Sequence, residues 1–192
     1  MSTERRYDSR RFQIEESTTL NNGARTVFIE HMTPGTTVPP HFHTRFSETF
    51  DLISGSIKVY RTDNLDLEVL EASAQPLEPR VPVTVQPRLY HKYLGGDQDA
   101  VLRVILEPGD MDFERLLKIL NGLDRDRKLE ALGDSMVLMA VVMELSDAHL
   151  IGPAGEMLEG LRREKGDEIR RLKQELLDKY DTPEALENSM KN

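Results

Sequence analysis

The sequence predicts a mainly β protein, a small sandwich or barrel, followed by an α-helical C-terminal region. Up to about residue 107 the chain is a succession of short β-branched and aromatic runs divided by turn residues. At Pro108-Gly109-Asp110 the hydrophobic period changes to that of helices. Inside the first part, the run from Gly35 to Gly55 carries three good metal ligands at spacings that strands can bring together. These observations divide the chain into an N-terminal arm (1–23), a β domain (24–109) and a helical extension (110–192) that packs on the β domain or on a partner subunit.

The arm opens with Arg5, Arg6, Arg10 and Arg11 around Tyr7 and Asp8, a solvated tail able to add an edge strand. Asn21-Asn22-Gly23 is a turn, and Ala24–Met32 is the first β run, with His31 at its end. Pro39 and Pro40 lack amide donors and belong at a strand start or sheet edge. Ser56–Arg61 alternates Ile57 and Val59 with polar residues, Asp63-Asn64 turns, and Leu65–Leu70 returns as a strand. Ala72–Pro79 is loop-like, and Val81–Val85 is an edge or bulged strand because it contains Pro82. Tyr90–Leu94 and Ala100–Glu107 are the last strands, joined through Gly95-Gly96-Asp97.

Asp112 is placed to cap a helix through Gly122 with Phe113, Leu116, Leu117 and Leu120 on one face. A second helix spans about 127–148, and its middle, Met136–Met143, is eight consecutive apolar residues. A membrane span needs about 20, so this helix is buried on most sides, with a partner subunit covering what the barrel does not. Its methionines suit core packing or a groove for a hydrophobic ligand. Gly152-Pro153-Ala154-Gly155 breaks the helix, Met157–Tyr180 resumes it, and Thr182-Pro183-Glu184 starts a last short one.

His41 and His43 leave the same face of a strand, with Cα atoms roughly 6.5 Å apart, so both imidazoles can tilt onto one ion. Glu48 lies five residues beyond His43, an odd step that requires the chain to bend within Thr44-Arg45-Phe46-Ser47. After the bend, Glu48, Phe50 and Leu52 share a face until Gly55 permits a turn.

Gly35, His41, His43, Glu48 and Gly55 match every fixed position of the first signature of the cupin superfamily, which the run resembles. In the second signature only His91 matches well. Arg80 and Arg88 stand where that signature has glycines, Pro87 falls one place late, and Gly95 replaces an asparagine. A glycine there serves a positive φ, which arginine enters at a cost. The resemblance covers about residues 24–108 and implies a double-stranded β-helix (jelly-roll) barrel in which His91 is the fourth ligand.

Three imidazoles and a carboxylate suit a divalent Fe, Mn, Ni, Co or Zn ion with one or two positions open to a ligand. Such an ion polarises an oxygenated substrate or binds dioxygen. The expected function is a metal-dependent enzyme on a small oxygenated molecule, of dioxygenase or of isomerase and lyase type. The alternative is a non-catalytic cupin whose structural metal supports ligand binding or protein interaction. Arg45, Tyr93 and Arg103 are the candidate catalytic groups, with Tyr90 as a further substrate-facing residue. Arg45 sits between ligands, and Tyr93 shares a strand face with His91.

Composition narrows the partners. A net charge of −9 argues against nucleic acid and gives no reason for an anionic membrane surface. The absence of cysteine excludes disulfides and thiolate ligands. With no signal-peptide-like start the expected location is cytoplasmic, and the expected assembly is a homodimer.

Overall fold

The computed structural model describes residues 11–129 and 135–191. Ten strands form two five-stranded antiparallel sheets. The first runs in the order β1 (Phe12–Glu16), β2 (Thr26–Met32), β9 (Ala100–Glu107), β4 (Ser47–Ser54), β7 (Val83–Val85). The second is ordered β10 (His149–Leu150), β3 (His41–Phe42), β8 (Tyr90–Gly95), β5 (Ile57–Thr62), β6 (Gln75–Pro76). The helices are α1 (Leu67–Ala72), α2 (Met111–Arg125), α3 (Met136–Leu145), α4 (Gly152–Tyr180) and α5 (Pro183–Met190).

Alternation sets the barrel. In β4, β8 and β9 every second residue is buried, so Phe50, Leu52, Leu102, Val104 and Leu106 of the first sheet form one core with Tyr93, Ile57 and Val59 of the second. Gly55 turns β4 into β5 at φ 87°, and a Cβ there would lie 2.5 Å from the Asp99 carbonyl, so no larger residue fits. The edge strand foreseen in the arm is β1, paired antiparallel with β2; Arg5, Arg6, Tyr7, Asp8 and Arg10 lie outside the described residues. Pro82 leads into β7, an edge strand as its missing amide demands.

Several expectations change. The molecule is not mainly β, since 39% is helical against 28% strand. Leu65–Leu70 does not return as a strand, because Asp66 accepts a hydrogen bond from the Glu68 amide and starts α1. Helix α2 is capped two residues earlier than expected, by Asp110 through the Phe113 amide, not by Asp112. Gly152-Pro153 opens α4 rather than forming a break, with proline in the first turn where its missing amide is harmless. Lys165, between Gly160 and Gly166, kinks that helix.

The apolar run of α3 is buried within the chain itself. Val137, Leu138, Val141 and Leu145 pack against Leu116, Ile119 and Leu123 of α2 and against Leu158, Ile169, Leu176 and Tyr180 of α4. Met136, at the start of the run, stays exposed, and Met139 and Met143 are half-buried. Gly122 lets α2 and α4 approach, since a Cβ there would meet the Tyr180 ring at 2.2 Å. Leu117, on the same helix, enters the barrel core, so α2 joins the two cores. Among the described residues no helix is long and apolar enough to cross a membrane.

Arg80 and Arg88 keep the glycine conformation at φ 65° and 69°. For an L-residue this costs about 1–2 kcal/mol. Arg88 is exposed, and its amide donates to the His43 carbonyl at 2.7 Å, so the turn preceding His91 is anchored to the ligand strand. Arg88→Gly is expected to stabilise the fold by about 1 kcal/mol and raise Tm by about 2–4 °C in thermal denaturation. A lowered Tm would show that the arginine side chain holds the turn more than its backbone strains it.

Candidate metal centre

His41, on β3, and His91, on β8, are directly paired across the second sheet, while Glu48 sits on β4 of the first. His43 follows β3 just before the bend at Thr44–Phe46. The bend turns Glu48 inward, as its odd spacing from His43 requires. One ligand atom from each of the four residues lies within 4.8 Å of the others, and all four residues are buried.

Backbone carbonyls fix how the rings point. His41 Nδ1 lies 2.7 Å from Pro39 O, His91 Nδ1 is 3.1 Å from Leu89 O, and His43 Nδ1 is 3.1 Å from Asp147 O. A carbonyl only accepts, so each Nδ1 carries the proton and each Nε2 turns toward the centre. There His41 Nε2 and His43 Nε2 are 3.2 Å apart, and Glu48 Oε2 lies 3.1 Å from His91 Nε2 and 3.4 Å from His43 Nε2. Lone pairs and a carboxylate converging in a buried space need a positive charge between them, either protons or a cation that displaces them. The donor set fits a divalent ion with nitrogen and oxygen preference.

Burial, reinforced by the neighbouring His91 and His43 rings, drives His41 well below the ordinary imidazole range and keeps it a neutral donor. Burial pushes Glu48 upward, but hydrogen bonding to His43 and His91 outweighs it and holds the carboxyl below the usual carboxylate range. One anionic ligand and three neutral ones would leave a bound divalent ion with a net charge of about +1.

Asp147 links the helical extension to this centre. It stands in the left-handed region, φ 53°, just after α3, and its carbonyl receives the His43 Nδ1 proton. Its carboxylate accepts from the Thr44 and Arg45 amides, the Thr44 hydroxyl and His149 Nε2, clasping the bend between the ligands. Burial would raise that carboxyl, yet the amide hydrogen bonds hold it low. β10 then pairs with β3, placing Leu150 opposite His41.

The other sequence candidates separate. Tyr93 lines the cavity above the ligands, its hydroxyl donating to Glu30 at 2.9 Å. Arg45 lies in the bend as expected, but its guanidinium is held by Asp110 at 2.6 Å and by the Leu145 carbonyl at 3.0 Å. Arg103 points to the opposite side of β9 from the buried core residues and pairs with Glu15 at 2.7 Å and Asp51 at 3.6 Å. Tyr90 packs edge-on against Phe42. Neither arginine is brought to the four donors. Sequence reasoning missed Glu30 and Asp147. Glu30 carried a usable signal: it shares the inward face of β2 with Phe28 and Met32, a charged residue at a core position. Asp147, 104 positions from His43, carried none.

No family model and no curated protein sequence matches the chain. Among solved structures it is similar to KdgF from Halomonas sp., at 16% identity and TM-score 0.44 over 53% of this chain and 81% of that one. It is also similar to a Klebsiella pneumoniae protein with a double-stranded β-helix domain, at 18% identity and TM-score 0.39 over 50% of this chain and 78% of that one. The DMSP lyase DddQ from Ruegeria pomeroyi DSS-3 overlaps at 17% identity and TM-score 0.38, over 46% of this chain and 40% of that one.

Purified protein is expected to take up one equivalent of a divalent metal, and His41→Ala to lose it, by elemental analysis after reconstitution. Asp147→Ala is expected to weaken metal affinity about 10–100-fold, as loss of an outer-shell support does. Calorimetry would read that change, and a Co(II) absorption spectrum unchanged from the parent's would show that Asp147 does not orient the ligands.

Proposed function

We propose that this chain, a cupin-type barrel with a four-donor metal centre, is a metal-dependent enzyme that moves a proton on a small oxygenated substrate. One observation supports this above others. His41, His43 and Glu48 open onto a cavity of about 240 Å³ that also holds a buried acid–phenol pair, Glu30 and Tyr93. A divalent ion at the centre would supply Lewis-acid polarisation of a substrate oxygen. The remaining work falls to the pair.

Burial pushes Glu30 above the usual carboxylate range, with Arg11, 3.9 Å away, and the Tyr93 hydrogen bond pulling it partly back. Burial and the adjacent Glu30 charge push Tyr93 well above the ordinary phenol range. Tyr93 therefore keeps its proton on Oη and directs it at Glu30, while Glu30 exchanges a proton at a higher pH than an exposed glutamate. A carboxyl shifted toward neutral pH in a water-poor cavity is suited to general acid–base transfer. Among the described residues Arg11 is the cation that lines this cavity, a substrate-facing role for which Arg45 and Arg103 were the sequence candidates.

Manganese-loaded protein is expected to enhance water proton relaxation through an exchangeable coordinated water that a substrate oxygen can replace. A saturated ion without exchangeable water would overturn the enzyme reading and leave a ligand-binding or interaction module.

Glu30→Gln tests whether stability is given up for chemistry. A raised folded-state pKa means the protonated carboxyl contributes stability at acid pH, and that contribution is lost as pH rises through the folded value. Glutamine stays neutral throughout. Glu30→Gln is expected to melt a few degrees above the parent at pH 8 and no higher at pH 4. An equal shift at both pH values would remove the buried charge as the cause.

A further inference from the structure

We infer that the substrate has an apolar body about the size of a single ring and one anionic oxygen head, the head held at the metal centre and the body against α2 and α3. This rests on the metal-dependent reading above and adds the chemical class of the molecule.

The walls carry it. Beyond the ligands, the Glu30–Tyr93 pair and Arg11 beside it, the cavity is bounded by Phe113, Leu117 and Leu120 of α2 and by Met139, Val142 and Met143 of α3. The few hydroxyls on its lining are already engaged as donors. Thr36 donates to the Thr33 carbonyl at 2.8 Å, Thr37 to the Tyr93 carbonyl at 3.0 Å, and Ser146 to the Val142 carbonyl at 2.8 Å. A polyhydroxylated body such as a sugar acid would bury several hydroxyls with few donors to meet them, at about 1–3 kcal/mol for each one unsatisfied. Against the α2 and α3 side chains an apolar body leaves no hydrogen bond unmade.

Size sets the second limit. About 240 Å³ lies below the roughly 300 Å³ at which drug-sized sites begin, so the body is a single ring or a short branched chain. Charge sets the third, since a divalent ion bound by one carboxylate retains positive charge and favours an anionic oxygen. The apolar wall is registered to that charge. Arg45 ties the ligand bend to Asp110 at the head of α2 and to the Leu145 carbonyl at the end of α3, and Asp147 ties it to the turn that follows. The methionines give the wall a deformable surface that accepts more than one apolar outline.

The test uses the zinc-loaded full chain and three acids in titration calorimetry: glycolate, which is the head alone; mandelate, the same head with a phenyl ring; and glucuronate, an acid with a polar body. Mandelate is expected to bind at least about tenfold more tightly than glycolate, and glucuronate more weakly than mandelate. Met139→Trp, which fills the cavity, is expected to abolish the mandelate advantage while zinc stoichiometry and glycolate affinity hold. Should that variant fail to fold, Val142→Ala enlarges the cavity instead and is expected to shift preference from mandelate toward 2-naphthylglycolate. Mandelate binding no more tightly than glycolate, glucuronate binding as tightly as mandelate, or no binding by any of the three would overturn the inference. If the chain holds one zinc and still ignores the ring, the substrate class fails alone; if it takes up no zinc, the metal-dependent reading fails with it.

Discussion

Three imidazoles held with their Nε2 atoms turned toward one carboxylate is the constraint on which the rest of this molecule depends. Left alone, histidine rings choose tautomer and rotamer by whatever hydrogen bond is nearest. Here each Nδ1 has a main-chain carbonyl within 3.1 Å, and carbonyl positions are set by the fold, not by side-chain freedom. The centre is thus preorganised by backbone geometry. Its concentration of donors in a buried space is unfavourable until a positive charge sits among them, and that unfavourable juxtaposition is the physical basis of metal affinity.

The helical extension belongs to this constraint. One of the three carbonyls is that of Asp147, beyond α3, and the Asp147 carboxylate fastens the bend that brings Glu48 round to the histidines. β10 completes the strand order beside His41, and α2 and α3 supply the apolar wall of the cavity. Barrel and extension therefore share one site. Their joint packing, with α2 contributing Leu117 to one core and Ile119 to the other, ties the cavity wall to the barrel.

Two departures from structural economy sit close to the centre. Arg88 occupies left-handed backbone where glycine would be unstrained, and Glu30 is a carboxyl buried on an otherwise apolar strand face. Strain and buried charge persist when the surroundings over-determine them, and they gather where a protein does chemistry. Arg88 lies in the turn that delivers His91, and Glu30 holds the Tyr93 hydroxyl beside the ligands.

The sequence by itself determined what depends on local spacing. The alternation of β4, β8 and β9, the glycine turn at Gly55 and the convergence of His41, His43 and Glu48 through a bend all follow from positions a few residues apart. The α2 cap shifted from Asp112 to Asp110 because neighbouring acidic residues compete for one helix start, and Asp66 began a helix where a strand was expected by accepting from a free amide. Only the tertiary structure decided which polar groups met. Arg45 and Arg103 were drawn to carboxylates nearer than the cavity, Glu30 was turned inward beside Tyr93, and Asp147 reached His43 across 104 positions. Such long-range pairings are chosen by packing of the whole chain, and a linear spacing carries no trace of them.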